Sequence, residues 1–172
     1  MSEITRLAVA ITSRGFLAGL PARERSPLDE GAPETEPRVE AAAPVALDLR
    51  IDTLRGYLEP LEFLEHVRFT GPGDPLLHPR VAYLVRVARE AGAYVSLETG
   101  ATVLEGRLVH DLIEAGLDEL RVRLDAWTRE GYLRLRNEDR YSDVLRKLVQ
   151  LKDQKRMMLI EHPVVTLVLR EP

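Results

Sequence analysis

Apolar positions along the chain follow two periods. Val45, Leu47, Leu49 and Ile51 fall on alternate residues, with Ala46, Asp48 and Arg50 between them. That is the period of a half-buried strand. Val81, Leu84, Val85 and Ala88 recur at helical spacing, which predicts a helix from Arg80 to Ala91 with Gly92 as its C-terminal stop. The same reading continues downstream. Asp52 to His66 forms a turn and a short helix, and Val67 to Thr70 a strand. Tyr94 to Leu97 is a strand and Leu104 to Ala115 a helix stopped by Gly116. Leu120 to Leu124 is a strand, and Thr128 caps a helix containing Tyr132 and Leu135. Ser142 caps another from Asp143 to about Gln154, and Val164 to Leu169 is the last strand. Continuous apolar strands alternating with helices predict an α/β domain with a mostly parallel sheet.

Upstream of this pattern the chain changes character. Residues 1–20 hold an apolar run from Ile4 to Ile11, the turn Thr12-Ser13-Arg14-Gly15 and a second run from Phe16 to Leu20, which predicts an N-terminal strand or hairpin. Residues 21–44 are rich in proline and acid and contain no aromatic residue. Such a segment buries too little apolar surface to offset its ordering entropy and reads as a disordered linker. The main α/β domain is then residues 45–172.

Composition narrows the function classes. A net charge of −4 argues against a nucleic-acid surface. No stretch reaches the ~20 apolar residues of a membrane span. Met1-Ser2-Glu3 lacks the basic start of a signal peptide, so a cytoplasmic location is expected. The chain has no cysteine. Disulfides, thiolate metal sites and cysteine nucleophiles are excluded with it. The histidines show no paired metal-binding spacing, and His78 and His110 read as structural. Lys147, Lys152, Lys155 and Arg156 read as a solvated helix face.

Candidate chemistry gathers at the strand ends. Gly71-Pro72-Gly73-Asp74-Pro75 follows the strand at Val67–Thr70 and precedes a helix. Glycine there permits close backbone approach, and an acid can pair with a cation. Asp74, Glu98 and Asp125 follow successive strands, so a parallel sheet would bring them to one rim. They read better as inherited turn residues than as a metal site.

The glycine loop resembles the Gly-x-Gly-Glu-Pro motif of the radical S-adenosylmethionine superfamily. The resemblance continues through Ser96-Leu97-Glu98-Thr99-Gly100-Ala101-Thr102, Leu112-Ile113-Glu114-Ala115-Gly116-Leu117-Asp118, Val122-Arg123-Leu124-Asp125-Ala126 and Tyr132-Leu133-Arg134-Leu135-Arg136. Five motifs in order imply the superfamily's fold, here as a partial, open β/α barrel, and look most like its peptide- and protein-modifying branch. The resemblance implies a cofactor site for S-adenosylmethionine at Gly71, Gly73, Asp74, Pro75, Glu98, Thr99, Arg123 and Asp125. In the family the acid of the glycine loop helps to hold the cofactor's ammonium.

The departures from the family bear on activity. Its cluster cysteines belong in a long loop after the first strand. With that strand at Val45–Ile51, the stretch before Val67 is too short for a cluster loop and holds no ligand set. Arg123 stands where a serine would face the ribose, and the chain has five strands where the family's barrel has six. The expectation is a cluster-free relative, a pseudoenzyme acting as a binding or accessory module for a peptide or for an intact radical enzyme. The alternative is an enzyme or sensor that binds S-adenosylmethionine or a nucleoside through the inherited loop. A third is a decayed product without a defined role. The apolar strand Val164–Leu169 would leave an open edge, which Ile4–Ile11 or a second subunit is expected to cover.

Overall fold

The computed structural model describes residues 6–12, 48–61, 63–124, 126, 128–136 and 140–169. The elements, in order, are β1 (Arg6–Ala10), α1 (Ile51–Leu58), β2 (His66–Thr70), a short 3-10 turn (Pro75–Leu77), α2 (Val81–Glu90), β3 (Tyr94–Thr99), α3 (Gly106–Glu114), β4 (Glu119–Leu124), α4 (Arg129–Arg136), α5 (Tyr141–Met158) and β5 (Val164–Leu169). The five strands form one sheet in the order β1-β2-β3-β4-β5, all parallel and not closed into a barrel.

Strand order in sequence order has a strong consequence. Right-handed crossovers, the rule between parallel strands, would place each helix on the same face of the sheet. The register shows which face that is. Val67, Phe69, Val95, Leu97, Leu120, Val122 and Leu124 point one way and are buried with Leu54, Leu84, Val85, Leu112, Val144 and Leu151 from the helices. The opposite face carries Arg6, His66, Arg68, Ser96, Glu98, Glu119, Arg121, Arg123 and Thr166. The expectation of continuous apolar strands is therefore corrected. β2 and β4 alternate strictly between buried and half-exposed residues. Only the helix-facing positions need to be apolar.

The first strand also differs from the expectation. Of Val45–Ile51 the described residues are 48–51, and they form no strand: Asp48 makes an isolated antiparallel bridge to Thr12, and Ile51 begins α1. The place beside β2 is taken by β1, from the N-terminal apolar run. Val9 and Ile11 supply buried core on this edge. Residues 13–47, with the second arm of the expected hairpin and the expected linker, lie outside the described residues. β1 joins the sheet at the edge opposite β5, so it does not cover β5. Val164, Val165 and Leu167 are more than a third exposed there.

The other elements form for local reasons that the sequence carries. Gly92 and Gly116 adopt φ of 86° and 84° and end the turns after α2 and α3. Thr128 Oγ1 accepts from the Gly131 N–H at 3.1 Å, a cap for α4. Ser142 is not a cap: α5 starts one residue earlier and runs to Met158, ending at Leu159 in the left-handed region. Lys147 and Lys155 are not merely solvated. Lys147 Nζ donates to the Thr102 carbonyl and pairs with Asp143, and Lys155 Nζ donates to the Pro163 carbonyl at 2.7 Å. They pin α5 to the loop after β3 and to the start of β5.

Because Ile11 is fully buried beside β2, Ile11→Ala is expected to cost about 2–5 kcal/mol in urea unfolding. Val164→Ala on the exposed β5 edge is expected to cost less than about 1 kcal/mol. Similar losses at both positions would mean that β1 is not the strand that closes the core.

Candidate functional site

The loop after β2 is held from three sides. Gly71 passes so close to the chain after β1 that a Cβ there would sit 3.0 Å from the Thr12 carbonyl oxygen. The Gly73 N–H donates to that same oxygen at 3.2 Å. Glycine is required by this approach. Thr12 itself is buried, and its hydroxyl donates to Asp48 Oδ1 at 2.6 Å.

Asp74 is the joint between β2 and β3. Its Oδ1 accepts from the Leu76 N–H at 3.0 Å and from Thr99 Oγ1 at 2.7 Å. Its Oδ2 accepts from the Gly100 N–H at 3.0 Å. Thr99, fully buried, accepts in turn from the Ala101 N–H at 2.9 Å. Ala101 has φ of 57°, so this network also holds an unfavourable turn in place. Pro75 is buried at the start of the 3-10 turn. Downstream, buried His78 is clamped between backbone groups. Its Nδ1 accepts from the Arg80 N–H at 3.1 Å, which leaves Nε2 as the donor to the Leu49 carbonyl at 3.0 Å.

The remaining expected residues belong to a different place. Glu98 and Arg123 lie on the helix-free face of the sheet, with Arg123 Nε 3.7 Å from Glu98 Oε1. Asp125 lies outside the described residues, as does Trp127. The acids after β2 and β3 are thus not brought together: Asp74 turns into the loop network, whereas Glu98 faces the open side of the sheet. A tight His110, Asp111 and Glu114 group exists on α3, but on a solvent-facing surface away from the strand ends.

The open face holds more charge than the sequence reading found. Arg121 Nη1 donates to Glu119 Oε1 at 3.1 Å, and Thr166 Oγ1 donates to the same oxygen at 2.7 Å. His66 Nε2 and Ser96 Oγ share a hydrogen bond of 2.8 Å. The Nε atoms of Arg68 and Arg121 are buried and make no hydrogen bond. Burial first, and then the neighbouring Arg68 guanidinium, hold the His66 pKa below its ordinary value. The signal that could have found this face was the alternation Glu119-Leu120-Arg121-Val122-Arg123-Leu124, in which every second residue is charged.

Comparison with known proteins bears on this arrangement. The sequence pattern of the Radical SAM superfamily matches residues 46–165, well over half of the chain. The chain belongs to the radical SAM superfamily. It is 38% identical over 87 residues to a GTP 3',8-cyclase of Chlorobaculum tepidum, covering 49% of this chain and 26% of that protein. A GTP 3',8-cyclase of Streptomyces coelicolor is 37% identical over 92 residues, covering 52% of this chain and 26% of its own. The chain thus spans about a quarter of the length of these curated relatives. Among solved structures, BtrN in complex with AdoMet and 2-DOIA superposes with a TM-score of 0.57 at 16% identity, covering 99% of this chain and 58% of that one. That likeness speaks for the fold alone.

Radical SAM chemistry needs an iron–sulfur cluster held by cysteine thiolates. The residues present do not fit one, because no residue of the chain is a cysteine. The expected reason for its absence is half corrected. The connection from β1 to β2 runs over residues 11–65, so it is not short. It is long and lacks thiolates. The proline- and acid-rich residues 21–44 fall within it.

Two outcomes follow from the geometry. Asp74→Ala leaves the Gly100 N–H and the Thr99 hydroxyl without their acceptor, and a cost of about 1–3 kcal/mol is expected in urea unfolding. The second concerns pH. The folded-state pKa of His66 is lowered, so the unfolded chain takes up the proton first. Stability should therefore fall as pH drops below about 6.5, the ordinary histidine value, towards the folded pKa. His66→Gln is expected to flatten this part of the profile, read from melting temperature between neutral and mildly acidic pH.

Proposed function

We propose that this chain is a cluster-free binding module of the radical SAM superfamily and not a radical enzyme. One observation carries the reading: the whole connection after β1, residues 11–65, is present in the sequence and contains no cysteine. The state of the glycine loop supports it. Asp74 accepts three hydrogen bonds from its own chain, so most of its acceptor capacity is spent on joining β2 to β3. The loop is explained by architecture without a cofactor. The ligand we assign is an extended peptide or protein strand. β5 supports this, since Val164–Leu169 carries no charge and is paired only with β4 among the described residues. Such an edge accepts a strand through backbone hydrogen bonds.

A second reading has its own support. The structural neighbour BtrN was solved with AdoMet, and Gly71, Gly73, Asp74 and Pro75 keep the form of the superfamily's cofactor loop. On this reading S-adenosylmethionine, or a related nucleoside, binds the rim without a cluster. The Glu98–Arg123 pair opposes it, because Arg123 fills the place of a small ribose-facing serine.

Both readings are tested on one preparation. Anaerobic reconstitution with iron and sulfide is expected to leave the visible spectrum flat, and a stable brown chromophore with stoichiometric iron would overturn the cluster-free assignment. Titration calorimetry with S-adenosylmethionine is expected to give no saturable heat. Saturable binding that tightens in Arg123→Ser would establish the second reading instead.

A further inference from the structure

We infer that the open cleft between the starts of α1 and α2 is a binding site for a small phosphate monoester, with Arg55 and Arg80 holding its phosphoryl group. The cleft lies in the helix layer. It uses neither the β5 edge nor the charged face of the sheet, and it does not depend on whether a cluster forms.

The walls of the cleft are fixed by the chain itself. One wall is the segment entering α1, Leu49 to Asp52, and the other is the segment entering α2, His78 to Arg80. Buried His78 joins them, since its ring accepts from the Arg80 N–H and donates to the Leu49 carbonyl. Further out, Arg55 of α1 donates to the Tyr83 hydroxyl of α2 at 3.2 Å. The space so framed is about 680 Å³, within the range of small-ligand sites. A site already framed in this way spares the ligand much of the ordering that binding would otherwise require.

Charge selects an anion. Arg50, Arg55 and Arg80 line the cleft against Asp48 and Asp52. Asp48 is engaged by the Thr12 hydroxyl. Asp52 lies 3.8 Å from Arg50, with both side chains more than four-fifths exposed. Arg55 and Arg80 have no acidic partner among the described residues, in a chain whose net charge is −4. Both are exposed, so an external ligand can reach them. The helix ends add to the same field. Arg50 and Arg80 are the N-cap residues of α1 and α2, and neither caps its helix through its side chain. The first turn of each helix thus lacks a side-chain acceptor at its cap, and its dipole favours an anion nearby.

Geometry and volume narrow the anion. Arg55 comes from α1 and Arg80 from the start of α2, so the two guanidinium groups belong to different elements. A carboxylate offers two oxygens in one plane. A phosphoryl group offers three in a tetrahedral arrangement, which suits two separate planar donor forks. The cleft is also much larger than a bare phosphate ion, and Leu49, Ile51 and Pro79 make part of its wall apolar. That remaining space suits an apolar or aromatic body esterified to the phosphate, with the exposed Tyr83 ring at its side.

The test uses the full chain, with phenyl phosphate as the probe and inorganic phosphate and benzoate as comparators. Calorimetry at low and at physiological ionic strength is expected to show one saturable site for phenyl phosphate and weaker binding of both comparators. Arg80→Gln is expected to weaken phenyl phosphate binding about tenfold or more, the scale of one charge-assisted contact. Arg107→Gln, exposed on α3, is expected to leave it unchanged. Amide shifts in the unmodified chain give a readout that survives any folding defect of the variant. The amides of Ile51, Arg55, Ala82 and Tyr83 should move, and those of Arg68, Arg121 and Arg123 on the strands should not. Absence of saturable heat, equal affinity in Arg80→Gln and Arg107→Gln, either comparator binding as tightly as phenyl phosphate, or shifts confined to the strands would each overturn the assignment.

Discussion

The constraint on which this structure depends is the handedness of its crossovers. Five parallel strands laid down in sequence order, with the right-handed connections that such strands favour, place the described helices on one face. The helix side must then be apolar, and it is: Phe69, Leu97 and Leu120 are buried against α-helical leucines and valines. Among the described residues the other side has no helix to meet. Apolar residues there would be exposed, so the strands can carry arginine, glutamate, serine and threonine at every second position. The polar face is a consequence of topology.

That same topology makes the rim a set of joints. Each strand ends where the chain must turn back over the helix layer, and the ends have to be held in register. The glycine loop does this for three strands at once. Thr12, just past β1, offers its carbonyl to Gly73, and Asp74 reaches across to Thr99 and Gly100 at the end of β3. Asp118 plays a similar part at the opposite ends, accepting from the Val95 N–H at 2.7 Å and pairing with Arg89. Both acids belong to the motifs by which the family resemblance was read. Their hydrogen bonds explain why such motifs can persist in a chain whose cysteines are gone: they hold strands together whatever chemistry the rim performs.

The helix-side architecture was legible in the sequence because its signals are local. Val81, Leu84, Val85 and Ala88 mark α2 by spacing alone, and Gly92 and Gly116 mark the turns after α2 and α3 by the backbone they allow. The first strand was not legible for the opposite reason. Val45–Ile51 alternates as well as Arg6–Ala10 does, and nothing local reports which of two apolar runs reaches the edge of β2. That choice is made by long-range burial of Val9 and Ile11. The site was legible as positions but not as partnerships. The resemblance located Asp74 and Thr99, yet their mutual bond depends on β2 and β3 lying side by side. Arg68 and Arg121 were passed over because β2 and β4 were read as apolar runs. Their alternation was visible, but only the sheet shows that alternate residues of both strands share one uncovered face.

A cluster-free radical SAM chain also poses a stability question, since an iron–sulfur centre fixes the long loop that carries it. Metal binding that requires the folded state adds to folding free energy. A chain without cysteine draws nothing from thiolate ligation of such a centre. The core cluster runs from β1 through α5 and takes in Ile11, Leu54, Leu58 and Leu64 of the long connection. The contacts that anchor the glycine loop come from Thr12, Thr99 and Gly100, all adjacent to strands. Asp48 and Leu49, at the far end of the connection, are tied back to Thr12 and Ile11 by a 2.6 Å side-chain bond and a 2.8 Å backbone bond. The connection is therefore fastened to itself where Thr12 and Asp48 meet beside β2. The fold ties the base of this connection together through Thr12, Asp48, Ile11 and Leu49.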